Sequence, residues 1–66
     1  MIAITVNGEP RRPRARTVAA LVVEMELPAP LLLVEHNGVA LRKSDWPDAI
    51  LHDGDRIEIL RVSAGG

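Results

Sequence analysis

Ile2, Ile4 and Val6 alternate with Ala3 and Thr5 and then meet Asn7-Gly8. A period of two followed by Asn-Gly predicts a strand with one apolar face, closed by a tight hairpin turn. The return strand falls within residues 9–16. Pro10 and Pro13 in it cannot donate to a ladder, which predicts an edge position. Thr17 is placed to cap a helix that starts at Val18, with Val18, Leu21, Val22 and Met25 on one face at i, i+3, i+4 and i+7. Ala20 stands where a glutamate would complete a capping box, and Pro28 and Pro30 are expected to stop the helix.

The pattern then returns to strands. Residues 31–36 read as a buried strand, a second Asn-Gly follows at Asn37-Gly38, and residues 39–41 form a short return. Ser44-Asp45-Trp46-Pro47 predicts a turn or a single helical turn, with Ser44 as its cap and Trp46 as an apolar plug. Asp53-Gly54-Asp55 turns the chain into a last alternating run, residues 56–62. Within it Ile57 and Ile59 are expected to face the helix, and Glu58, Leu60 and Val62 to face outward. By the same alternation Leu32 and Val34 point inward and Leu33 outward. Leu33, Leu60 and Val62 are thus a candidate partner-binding patch, unless loops cover them. The element order β-β-α-β-β-β predicts an α+β fold, a mixed sheet of four to five strands with one helix packed on one face. A right-handed crossover through that helix would make the first and third strands parallel neighbours. A central last strand would free its end to project the C-terminal residues.

Composition narrows the function. The chain has 66 residues, so it makes one small domain that buries only about 60% of its unfolded surface. A substrate pocket of ~300 Å³ or more fits poorly in so small a body, which counts against an enzyme. There is no cysteine, hence no disulfide, no thiolate metal site and no thiol to carry a group. Eight basic and nine acidic residues give a net charge of −1, with no global attraction to nucleic acid. Four arginines sit in Arg11-Arg12-Pro13-Arg14-Ala15-Arg16, but no aromatic is interleaved for stacking on bases. A solvated edge that blocks strand pairing is the favoured reading of that run, and docking to an acidic partner the alternative. His36, His52, Asp53 and Asp55 match no zinc or calcium spacing, so no metal site is expected. The ordinary role for His36 is a hydrogen-bonded histidine. No basic, apolar leader and no apolar run long enough to span a bilayer occurs, so a cytoplasmic protein without membrane contact is expected.

The last residues carry the candidate chemistry. An alternating strand that runs into Ser63-Ala64-Gly65-Gly66 is suited to pushing a bare carboxylate away from the fold. Glycine suits such a tail because it lacks Cβ and lets backbone enter a narrow site. The competing reading is an ordinary frayed terminus.

Taken in order, several segments resemble the ThiS family, the small sulfur carrier proteins of thiamine biosynthesis. They are Val6-Asn7-Gly8-Glu9-Pro10, Thr17-Val18-Ala19-Ala20-Leu21, Val34-Glu35-His36-Asn37-Gly38, Arg42-Lys43-Ser44-Asp45-Trp46, Asp53-Gly54-Asp55-Arg56-Ile57-Glu58-Ile59 and the closing Gly65-Gly66. The resemblance covers nearly the whole chain. It departs at Ala64, where members commonly carry a third glycine, and in the richness of the arginine run. It implies a ubiquitin-like β-grasp domain over residues 1–62 and a flexible tail over residues 63–66. It also implies that an adenylating enzyme activates the Gly66 carboxylate with ATP, that a sulfur donor converts it to a thiocarboxylate, and that thiazole synthase receives the sulfur. Gly65 and Ala64 would thread the tail into the activating site. The chain itself would hold no cofactor and no catalytic residue, and it would be a monomer when free. No glycine-rich phosphate loop is present, which fits a substrate better than a catalyst. The alternatives are a molybdopterin-type sulfur carrier, a ubiquitin-like modifier joined to lysine through Gly66, and a passive binding module of the same fold.

Overall fold

A computed structural model describes residues 1–62, and Ala64, Gly65 and Gly66 lie outside the described residues. The strands are β1 (Ile4–Val6), β2 (Glu9–Arg11), β3 (Leu32–His36), β4 (Val39–Leu41) and β5 (Arg56–Arg61), with one helix, α1 (Val18–Glu24). They form a single sheet in the order β2-β1-β5-β3-β4. This is the β-grasp arrangement that the resemblance implies, with β5 in the centre.

One expectation is overturned. The parallel neighbour of β1 is β5 and not β3: Thr5 pairs with Arg56 and Val6 with Ile57. β3 instead runs antiparallel along the other side of β5, with pairs from Leu32↔Arg61 to His36↔Ile57. The helix and the turns after it carry the chain past the central position. That position is filled last, by the strand that Asp53-Gly54-Asp55 delivers.

The core lies between α1 and one sheet face. Val18 and Leu21 of the helix are fully buried and Val22 nearly so, against Ile4, Val6, Leu32, Val34 and Ile57 of the sheet. Thr17 caps the helix as predicted, its Oγ1 accepting the Ala20 N–H at 3.1 Å. The helix stops before either proline. Met25 is its C-cap and Glu26 takes a left-handed conformation at φ 55°. Glu26 N–H donates to the Val23 carbonyl and Leu27 N–H to that of Val22, the two bonds of a Schellman ending. The prolines therefore follow the stop and do not cause it. A third correction concerns the segment Lys43–Asp48, a short 3-10 helix. Ser44 is not its cap; the Asp45 carboxylate reaches back and accepts the Arg42 N–H at 3.2 Å. Trp46 is buried in this segment, as expected of a plug.

β2 lies at the sheet edge, only three residues long and with Pro10 at its middle. Beyond it the chain leaves the sheet. Pro13 and Ala15 are buried while Arg12, Arg14 and Arg16 are exposed. Glu24 fixes this path by accepting both the Arg14 and Ala15 N–H at 2.9 Å.

Both Asn-Gly turns do more than reverse the chain. Asn7 and Asn37 each sit at φ 51°, followed by glycines at φ 82° and 83°, a pattern that makes two-residue hairpins. The Asn7 amide also grips β5, accepting the Ile59 N–H at 2.7 Å and donating to the Ile59 carbonyl at 3.0 Å. From the other flank, Asn37 Oδ1 accepts the Arg56 N–H at 2.8 Å. The entry to β5 is fixed by Asp55, a buried carboxylate. It contacts His36 Nε2 at 2.7 Å and accepts from Asn37 Nδ2 at 3.0 Å and the His52 N–H at 2.8 Å. His36 is thus the hydrogen-bonded histidine that its strand position suggested.

Burial alone pushes the Asp55 carboxyl up. The hydrogen bonds from Asn37, His36 and His52, with the charge of a protonated His36, outweigh that effect and hold its pKa below the ordinary value of 3.8. The unfolded chain then takes up the proton more readily than the folded one. Stability contributed by Asp55 is therefore fully present above about pH 5 and is lost as the pH falls below roughly 3.8 through the folded value. Thermal melts between about pH 6 and pH 2.5 should show an acid limb that Asp55→Asn flattens. An unchanged acid limb in that variant would assign it to other groups.

Candidate functional site

The functional question centres on the end of β5. Val62 N–H donates to the Leu31 carbonyl at 2.7 Å, so β5 stays tied to the body up to the last described residue. From there the sequence continues directly into Ser63-Ala64-Gly65-Gly66. The Gly65 and Gly66 positions lie outside the described residues.

Beside this exit is the sheet face that α1 leaves uncovered. Leu33 and Leu60 stand directly opposite each other across β3 and β5 and are 54% and 61% exposed. Val62, at 37%, is one alternation step beyond Leu60. The alternation reading thus placed all three correctly: loops do not cover them, and Leu32, Val34 and Ile57 are buried on the opposite face. The other large apolar side chains that are exposed, Met1, Val23, Val39 and Ile50, lie on other elements and add nothing to this patch.

Leu33 and Leu60 belong to an open groove of about 370 Å³, also lined by Asn7, Glu35, Glu58 and Ile59, so the expectation that so small a body has little room for a cavity of ~300 Å³ or more does not hold. Glu35 and Glu58 face each other in register, one pair along from Leu33 and Leu60 on the solvent side of an alternating strand. These two carboxylates were not singled out from the sequence. Alternation shows that Glu58 points outward, but only the pairing of β3 with β5 shows that Glu35 meets it. The Asn7 amide, bound to the Ile59 backbone, forms one end of the groove. The hairpin signal at Asn7-Gly8 carried no hint of that second role.

Among the described residues no group of three or more His, Asp or Glu side chains is placed to hold a metal ion. His36, His52 and Asp55 are engaged with one another at the entry to β5, away from its exit. Among the described residues no helix is long and apolar enough to cross a membrane. What the geometry offers is an exposed sheet face, apolar at Leu33 and Leu60 and acidic at Glu35 and Glu58, near the end of β5.

Residues 2–66 match the ThiS family. A sulfur carrier protein ThiS of Thermus thermophilus is 32% identical over 63 residues, which are 96% of this chain and 98% of that protein. A thiazole synthase of Paramagnetospirillum magneticum is 34% identical over 64 residues, again 96% of this chain. That match takes up only 20% of the synthase, so the chain spans about a fifth of the length of this relative. The crystal structure of a thiamine biosynthesis protein, ThiS, from Geobacter metallireducens superposes with a TM-score of 0.83 at 30% identity, covering 98% of this chain and 100% of that one.

Proposed function

The chain belongs to the ThiS family, and from that premise we propose that it is a sulfur carrier for thiazole formation in thiamine biosynthesis, with the Gly66 carboxylate as the carrying group. The observation that supports this most is that the family match runs through residue 66, while the sequence of the central strand continues into Ser63-Ala64-Gly65-Gly66. The chain is a substrate in this cycle, and an activating enzyme supplies the catalysis. At neutral pH an α-carboxylate, with a pKa of about 3.5, is ionised and a weak nucleophile. Its oxygen attacks the α-phosphorus of ATP and pyrophosphate leaves, which gives an acyl-adenylate. A hydrosulfide equivalent then attacks the carbonyl carbon, AMP departs, and a thiocarboxylate remains. Thiazole synthase takes the sulfur from there. That a segment similar to this chain makes up about a fifth of a protein named thiazole synthase supports the choice of acceptor.

The docking face fits the same reading. Four residues beyond Val62 can span at most roughly 14 Å. A partner that works on Gly66 must therefore press against the end of β5, where Leu33, Leu60 and Val62 are exposed. The test is the intact mass of the chain after incubation with ATP, sulfide and the activating enzyme of the same organism. Exchange of one oxygen for one sulfur, mapped to Gly66 and absent when Gly66 is deleted, is the expected result. A ladder of larger covalent adducts would instead favour a modifier, and an unchanged mass with demonstrably active enzyme would remove the carrier reading.

A further inference from the structure

The register of β3 against β5 sets two carboxylates face to face. Glu35 lies opposite Glu58, and on its other side, across β4, it meets Ala40. Like charges directly across a ladder destabilise a sheet. Ion pairs among the described residues are confined to His36–Asp55, Arg42–Asp45 and His52–Asp55, so neither glutamate is neutralised within the fold. Arg56 is on the same side of β5, two residues before Glu58 and across from Thr5, but it makes no ion pair with either carboxylate. The groove therefore combines an apolar part, Leu33 with Leu60, and a doubly negative part immediately beside it.

Resting on the carrier reading, we infer that this groove receives an arginine side chain from the activating enzyme, with Glu35 and Glu58 accepting from its guanidinium and Leu33 and Leu60 covering its methylene stem. The chemistry fits in each part. A guanidinium presents five donors in a planar fork and pairs with carboxylates through two parallel hydrogen bonds. Its aliphatic stem packs on apolar surface while the charged head reaches the acids. A groove of about 370 Å³ accommodates one such side chain with neighbouring apolar contacts. Docking relieves the repulsion that the free carrier carries, so the two glutamates act oppositely on folding and on binding. Nucleic acid is disfavoured on this face by the same charges.

That opposition gives the test. The double variant Glu35→Gln/Glu58→Gln keeps the size and hydrogen-bonding capacity of both side chains and removes the repulsion. Its thermal midpoint is expected to hold or rise by up to about 5 °C. Its affinity for the purified activating enzyme, measured by titration calorimetry on the full chain, is expected to fall by about tenfold or more at low salt. Raising the salt should weaken the unsubstituted chain and leave the double variant nearly unchanged. Affinity within about twofold of the parent would overturn the arginine clasp. A lowered midpoint would overturn it too, by making the carboxylates structural. Leu60→Asp separates this from the broader reading: if it abolishes binding while the double variant does not, only the clasp fails. If Leu60→Asp also binds normally, or the unsubstituted chain does not bind, the docking face itself is wrong and the clasp falls with it.

Discussion

A chain carrying Gly65→Val is expected to fold as the parent does and to lose activation by its partner enzyme, with ATP–pyrophosphate exchange reduced by at least roughly a hundredfold. Gly65 lies three residues past the last described position, and among the described residues the buried core runs from Ile4 to Ile57. A β-branched side chain in that place restricts the backbone and widens the chain next to the reacting carboxylate. Displacing a reacting group by about 1 Å already costs on the order of a hundredfold in rate. The measurement is isotope exchange with the activating enzyme beside a thermal melt of the same sample. Exchange at the parental rate would show that the tail is not threaded through a narrow passage, while leaving Gly66 as the carrier untouched. A lowered midpoint would mean that the tail contributes to the fold.

The largest effect on stability is expected from Trp46→Ala. A domain of this length has a net stability of roughly 3–10 kcal/mol. Trp46 is 5% exposed and belongs to the core that α1 covers, and replacing a buried tryptophan by alanine costs about 3–5 kcal/mol. The loss therefore approaches the whole stability at the low end of that range. A fall of at least about 15 °C in the thermal midpoint follows for a chain of this size. Trp46→Phe should cost much less, about 1 kcal/mol, because the indole N–H is buried and finds no acceptor among the described residues. Removing that donor offsets part of the lost contact area. Lys43 Nζ, 5.8 Å from the ring centroid, retains an aromatic face in that variant. Circular dichroism melts of both variants decide the matter. Similar losses in the two would mean that the indole shape matters more than its burial.

Periodicity was enough to read most elements, and the exceptions have physical causes. β4 and the Thr17-capped start of α1 emerged as expected because their signals are local: two apolar periods, a capping hydroxyl and an Asn-Gly turn. The stop of α1 did not, since Glu26 takes the left-handed conformation usually left to glycine, and no composition rule points to a glutamate there. The wrong neighbour for β1 has a different origin. Strand order depends on which strand fills the centre, and β5, the last to arrive in sequence, pairs with both β1 and β3. For the site, alternation alone exposed Leu33, Leu60 and Val62. Glu35 and Glu58 stayed invisible because their meeting is a property of register between segments 23 residues apart. The second role of Asn7 and Asn37 was hidden for the same reason, their amides closing on a strand far away in sequence.

The central position of β5 has a mechanical consequence for a chain that is gripped by its end. A pull on the end of β5 along the strand axis loads the strand directly. On one side five residue pairs with β3 resist it, and on the other the parallel pairing with β1 and the clamp of Asn7 on Ile59. Force along a strand loads such a ladder in shear, so its hydrogen bonds share the load and do not open one after another like a zip. A partner that pulls on the end of β5 would meet this shared resistance before the body opened.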